Sequence, residues 1–575
     1  MPTQLSSTLL ILTLIATLLG CQADKPSGTL PSSATLYHNG HLITMEGDSA
    51  TYAEALVADS GKIVFVGRLA DAEHRYAHAN HKDLEGQTLL PGFIDAHGHA
   101  GGAGLQRMSA NLLAPPDGPV TDIATLQQQV NDWVIQNQAF VKKIGWIIGF
   151  GYDDAQLKEQ RHPTASELDQ ISTDLPVLLI HQSGHLFAVN HKALELSDIT
   201  AATPNPGGGV IRREADGKTP NGVLEETAGM KVSYGLLSRF DNDDNDRMSL
   251  AGLEAYAEFG FTTAQEGRAS KSSTTTWQRL ADSGQLKMDV AVYPDIYMEQ
   301  EFLEGKKASR TYTNHFRLAG IKMSLDGSPQ GRTAWLTQPY KIPPEGQYKN
   351  YAGYPAYSSS RVVDTLVQRA YRNEWPILAH CNGDAAAEAF INSIEKANQI
   401  FGKADRRPVM IHAQTVRYDQ LDRMKAEGII PAFFSLHTFY WGDWHRDVTL
   451  GKERAYRISP TGTALKKGMI FTEHHDAPVV LPSSTMVLHA TVNRISRSGD
   501  IIGPDERVST YHALKSITAW AAYQHFEEDT KGTLTPGKVA DFVILDRDPL
   551  AIDPLELKDL RVMETIKGGV TIFKR

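Results

Sequence analysis

Six side chains stand out because their types and placing would suit one task, the holding of divalent metal. His97 and His99 end the run Pro91-Gly-Phe-Ile-Asp-Ala-His-Gly-His99. Two residues apart on an extended segment, they face the same side, so both imidazoles can meet one ion. His380 and His412 each close an apolar run, Pro376-Ile-Leu-Ala-His380 and Pro408-Val-Met-Ile-His412, and Asp476 follows Met469-Ile-Phe-Thr472. Lys322 sits inside Gly320-Ile-Lys-Met-Ser-Leu-Asp326, where a buried ammonium group is costly. Two readings of that lysine stand side by side: a snorkelling or ion-paired cation, or a lysine carboxylated by carbon dioxide, anionic and able to bridge two metal ions. A single histidine at a strand end is most often a hydrogen-bonded structural residue. Here four histidines and one aspartate fall in order at successive strand ends, and the bland reading must hold for all five.

The elements that would position these groups alternate along the middle of the chain. Leu250, Leu253 and Ala257 share one helical face before the strand Thr262-Thr-Ala264, and Val363, Leu366, Val367 and Ala370 do the same before Pro376–His380. Phe390, Ile391, Ile394 and Ala397 precede Pro408–His412, and Leu421 and Met424 precede Ile429–Phe434. Repeated helix-then-apolar-strand units predict a parallel sheet, and this many of them predict an α/β fold of the (β/α)8 TIM-like barrel type over residues 91–529. The polar residues fall at the C-terminal strand ends, where such barrels build their active sites. About residues 101–249 read as an inserted subdomain, with strands of its own. Residues 34–90 and 530–575 read as short alternating strands with Gly, Asn and Asp turns, predicting a small β-sandwich assembled from both chain ends.

Composition narrows the classes. A net charge of -10 with no dense Lys/Arg stripe argues against nucleic acid. Cys21 and Cys381 are the only cysteines, so there is neither a disulfide framework nor a CxxC zinc pattern. No Walker loop, HExxH or Gly-x-Ser-x-Gly elbow occurs. Residues 1–20 read as a signal peptide: the apolar run Leu9–Gly20 suits an h-region and is short for a bilayer span. Leu18-Leu-Gly-Cys21 resembles a bacterial lipobox, although the start Met-Pro-Thr-Gln carries no basic residue. The expectation is export, to the periplasm or to the outer membrane through lipid on Cys21, with residues 21–33 as a flexible tether.

Taken together, the order His-x-His, Lys, His, His, Asp resembles the amidohydrolase superfamily, and within it the amidohydrolase-3 group of YtcJ-like proteins and N-substituted formamide deformylases. Further motifs carry the likeness: Gly184-His185 with Asn190, Gly222-Val-Leu-Glu225, Asp326-Gly-Ser328, Arg332-Thr-Ala334, Ile411-His-Ala-Gln414, Asp476-Ala-Pro478 and Gly532–Asp541. The resemblance implies that His97, His99 and Asp476 bind one metal, that His380 and His412 bind a second, and that carboxylated Lys322 bridges them. It implies two Zn2+, with nickel, iron or manganese compatible with the same donors. This chain departs from the group's usual pattern in His474-His475-Asp476 and in Gly149-Phe-Gly-Tyr152-Asp153.

The implied chemistry is hydrolysis of a non-peptide carbon–nitrogen bond in a small amide, N-acyl amine or N-formyl amine, of the EC 3.5 type, by water activated at the metal. Asp476 would accept the water's proton and pass it to the leaving nitrogen. Tyr152, His185, Arg332 and His437 are candidates for substrate contacts, each equally readable as a structural hydrogen-bonding residue. Lactone or ester hydrolysis on the same site is a second reading. A non-catalytic lipid-anchored binding protein is a third, whose signature, loss of ligands, is missing because all six donors are present. Homo-oligomerisation is left open.

Overall fold

The computed structural model describes residues 34–344 and 346–575, so the signal segment, the tether and Cys21 lie outside the described residues. The fold is mixed α/β. Its centre is a series of parallel strands: β1 (Phe93–Ile94), β2 (Phe261–Ala269), β3 (Asp289–Pro294), β4 (Phe316–Leu318 and Ile321–Ser324), β5 (Ile377–Cys381), β6 (Val409–His412), β7 (Ile430–Phe433) and β8 (Thr472–Glu473). β1, β2, β3 and the first half of β4 form one ladder, and the second half of β4 leads a second ladder through β8. The halves of β4 part at Gly320, where an added Cβ would stand 2.3 Å from the Pro376 carbonyl oxygen. Only glycine allows that approach. A bridge between Asp295 and Lys322 links the ladders. The ends of the series also meet, because His99 donates its backbone N–H to Ala477 O (2.8 Å) and Asp476 donates to His97 O (3.3 Å).

The strands are buried on both faces, as their unbroken Val, Ile, Leu and Ala runs require. Helices cover the outside. Asn242–Glu258 opens with Asp241 capping Asp244 N–H, and the acidic Asp243 and Asp244 suit the positive end of the helix dipole. Asp384–Phe401 turns Phe390, Ile391, Ile394 and Ala397 inward, all fully buried. Burial of each large member contributes roughly 1.5–3 kcal/mol. The apolar faces read from the sequence at 250–257, 363–370 and 421–424 lie on helices in this layer, with Leu250 half-buried at its edge.

Between β1 and β2 the chain builds a six-stranded sheet of its own. Its order is Gly209–Arg213, Pro220–Glu226, Leu186–Val189, Val177–His181, Ile147–Tyr152 and Ala110–Asn111, and it has a separate apolar core around Ile148, Leu178, Leu179 and Leu224. The two chain ends share another sheet, in which Thr88–Pro91 pairs antiparallel with Phe542–Leu545 and parallel with Thr35–Ile43. Asp289, at the start of β3, fastens this sheet to the central strands through Lys567 (2.5 Å) and Lys531 (2.6 Å).

Candidate metal centre

The parallel strands and the segments that follow them bring His97, Lys322, His380, His412 and Asp476 together as buried groups, with His99 half-buried at their edge. His97 Nδ1 lies 2.7 Å from Gln265 Oε1, and the Gln265 amide nitrogen donates to Ala96 O at 2.9 Å. A carbonyl can only accept, so the Gln265 oxygen must face the ring and His97 carries its proton on Nδ1. His99 Nδ1 likewise lies 2.6 Å from Gly267 O, which fixes its proton there. Both Nε2 lone pairs are thereby turned to Asp476 Oδ1, at 3.2 Å from His97 and 3.5 Å from His99. Such outer contacts set the tautomer and orientation that a metal-binding imidazole needs.

On the other side of the cluster His380 Nε2 lies 3.1 Å from Gly327 O, and its Nδ1 faces His412 Nε2 at 3.0 Å. Lys322 Nζ stands 2.8 Å from His97 Nε2, and Asp476 Oδ2 stands 3.9 Å from His412 Nε2. Asp326 frames this half. It accepts from the backbone N–H groups of Asn382 (3.0 Å), Gly383 (2.7 Å) and Trp335 (3.0 Å).

The donor set fits divalent metal. Two donors on one tetrahedral ion, each about 2.0–2.1 Å from it, stand roughly 3.3 Å apart, which is the spacing of Asp476 Oδ1 from both histidines. Asp476 Oδ1 is buried without a hydrogen-bond partner among the described residues. Electrostatics agree. Burial lowers His97 to about 4 and holds His380 and His412 well below the usual histidine value, so the imidazoles are neutral donors. Burial also brings Lys322 down to about 7.

The other proposed contacts divide. His185 stands beside the centre: its ring is 5.7 Å from that of His380, and its Nδ1 is 2.8 Å from Glu226 Oε2. Burial would lower His185, but the Glu226 carboxylate outweighs it and raises the pKa. A cavity of about 540 Å3 opens here, lined by His185, Glu226, Arg268, Asp326, Tyr354 and Tyr357 among others. Tyr152 and Arg332 do not join the cluster. Tyr152 is fully buried in the six-stranded sheet, 3.2 Å from His162 Nδ1, and belongs to a second group formed by Asp153, Asp154 and His181. Arg332 reaches the carbonyls of Ile342 and Pro343 and lies over Trp444. His437 stacks on His445 and packs on Phe434, whose ring also lies 6.0 Å from that of His412. Trp441 is buried and donates to Asp153 Oδ2 at 2.6 Å, tying the strand-seven loop to the inserted sheet.

A model of the amidohydrolase family matches residues 82–573. The chain belongs to that family. This amidohydrolase is 26% identical over 557 residues to YtcJ from Bacillus subtilis (strain 168), which carries the name of an amidohydrolase; the match spans 94% of this chain and 99% of that one. It is also 26% identical over 545 residues to the N-substituted formamide deformylase of Arthrobacter pascens, spanning 93% and 98% of the two chains. Among solved structures, an uncharacterized metal-dependent hydrolase from Pyrococcus horikoshii OT3 shares the fold, with a TM-score of 0.72 and 23% identity over 91% of this amidohydrolase and 99% of that chain.

Sequence reasoning missed several residues at the site. Gln265 and Gly267 orient His97 and His99, and the visible signal was the polar pair Gln265-Glu266 in a fully buried strand segment. Gly267 also leaves space: an added Cβ would stand 2.6 Å from His97 Cε1. Glu226, rather than Glu225 of the quoted motif, faces the centre. Strand alternation sends Glu225 to the other side, onto Arg212 at 2.7 Å.

Proposed function

We propose that this amidohydrolase cleaves a non-peptide carbon–nitrogen bond of a small amide, N-acyl amine or N-formyl amine at a two-metal centre, with zinc as the first metal to test. The convergence of six donors carries the reading: two histidines and Asp476 on one side, two histidines on the other, and Lys322 against His97. Its similarity to the Arthrobacter deformylase supports the bond type. The meeting of β1 with the segment after β8 supports closure of the parallel strands into a (β/α)8 barrel.

Metal bound there supplies a water nucleophile near neutral pH and polarises the substrate carbonyl. The protein's groups do the rest. Lys322, brought down to about 7, is largely an uncharged amine at mildly alkaline pH, the form that adds carbon dioxide. Its carboxylate would then lie between the two histidine pairs. Asp476 takes the proton of the attacking water and returns it to the departing nitrogen, which leaves as a neutral amine. His185, held by Glu226, faces the cavity where the acyl or amine portion would lie. Export, with lipid on Cys21, completes the proposal and places this chemistry outside the cytoplasm.

The test is metal analysis of the purified protein combined with a panel of formamides, amides, ureas and lactones. The expected result is up to two metal ions per chain and release of free amine from at least one formamide or amide. Hydrolysis of lactones alone would move the assignment to ester chemistry. No turnover on any member, with metal present, would defeat the catalytic reading.

A further inference from the structure

The six donors leave one buried imidazole beside them unexplained. His474 is 1% exposed, and both of its ring nitrogens lack a hydrogen-bond partner among the described residues. A buried imidazole always carries at least one N–H and loses its hydration on burial, so leaving both nitrogens unmatched is costly. Its neighbours in the sequence face other groups, with His475 Nε2 3.4 Å from Asp95 Oδ1. Glu473 is held by Ser435 at 2.6 Å. His475 turns away, its Nδ1 accepting from Ala477 N–H at 2.9 Å and its ring packing on Tyr256 and Phe261.

Ring positions point the same way. Two imidazoles on one tetrahedral ion have centroids roughly 5 Å apart, given metal–nitrogen distances of about 2.0–2.1 Å. The His97 and His99 rings are 5.1 Å apart, and those of His380 and His412 are 4.4 Å apart. The His474 ring lies 5.3 Å from His97 and 5.1 Å from His412, one member of each pair. Phe434 packs on it at 4.9 Å and offers neither a donor nor an acceptor.

We propose that His474 is an additional imidazole donor of the metal centre, entering between His97 and His412. The inference rests on the metal-dependent reading of the site. Cobalt(II) titration of the metal-stripped full chain, read by visible absorption, tests it in wild type, His474→Ala and His474→Gln. At least one cobalt affinity should fall tenfold or more in both variants, with a shifted absorption band. Affinities and spectrum matching wild type would overturn the inference alone. Wild type that takes up no cobalt would overturn the metal-dependent reading and this inference with it. Should both variants lose their fold by circular dichroism, a crystal structure of the zinc-loaded wild type decides. A ring nitrogen within about 2.3 Å of zinc sustains the assignment, and one beyond bonding distance ends it.

Discussion

Lys322 Nζ stands 2.8 Å from His97 Nε2, so a lysine deep in an apolar strand meets the lone pair of an imidazole whose other nitrogen is already committed to Gln265. Burial lowers that lysine to about 7. An amine so placed is ready for carboxylation, because the neutral form is the one that attacks carbon dioxide. With 13C-bicarbonate and zinc, wild type should show a carbamate carbon signal that is missing in Lys322→Ala, and the variant should lose at least one metal ion. A signal of equal strength in both proteins would remove Lys322 from the bridging role.

Gly267 gives a test of the outer contacts. A Cβ there would press on His97 Cε1 at 2.6 Å and on Gly98 O at 3.1 Å, both fixed by the strand ends. Gly267→Ala should cost about 1–3 kcal/mol through overpacking and weaken metal binding by at least tenfold, since both histidines of that pair must shift. Differential scanning calorimetry and metal dialysis measure the two effects. Unchanged metal affinity would show that the His97 environment yields more easily than its contacts suggest.

Glu226 is expected to act on the substrate side. Its carboxylate raises His185, and its other oxygen is buried without a hydrogen-bond partner among the described residues. Hydrogen bonds to a charged group contribute roughly 1.5–3 kcal/mol, so Glu226→Gln should lower kcat/KM by about tenfold to a hundredfold. Metal content should stay at the wild-type level, because Glu226 touches none of the proposed donors. Metal loss in this variant would place the glutamate inside the centre instead.

Much of the centre could be read from the sequence because each donor ends or interrupts an apolar run. A strand buried on both faces has no bland use for a lysine at 322 or for histidines at 380 and 412. What could not be read depends on register between distant segments. Nothing local to Gln265 says that it will face His97 across 168 residues. Glu225 and Glu226 differ only in strand parity, and that parity is fixed by pairing with Leu186 and Gly209. Tyr152 and Arg332 mark the opposite limit: a departure from the group's pattern drew attention to Tyr152 and a shared motif to Arg332, but the inserted sheet and the loop after β4 turned both into separate networks.

The buried ion network at the foot of β3 gives a pH prediction with a definite sign. Glu527 meets Arg317 at 2.6 Å and Lys531 at 2.5 Å, and Lys531 meets Asp289 at 2.6 Å. Burial alone would raise Glu527, but Lys531 and then Arg317 overcome it and bring the carboxyl down to about 2. Asp289 is likewise held well below its ordinary value, by Lys531 and Lys567 against the effect of burial. A carboxyl depressed in the folded state stabilises fully above its unfolded value of about 4.3. That contribution is lost as pH falls through the folded value, because the unfolded chain takes up protons first. The apparent unfolding temperature at fixed scan rate should therefore fall steadily between about pH 5 and pH 2. Glu527→Gln removes one titrating partner and leaves Arg317 and Lys531 short of a counter-charge. It should cost about 3–5 kcal/mol near neutrality, the usual penalty for breaking a buried pair, while its unfolding temperature declines less steeply with acid. A variant with wild-type stability at pH 7 and the same acid slope would show that this junction does not hold the terminal sheet to the central strands.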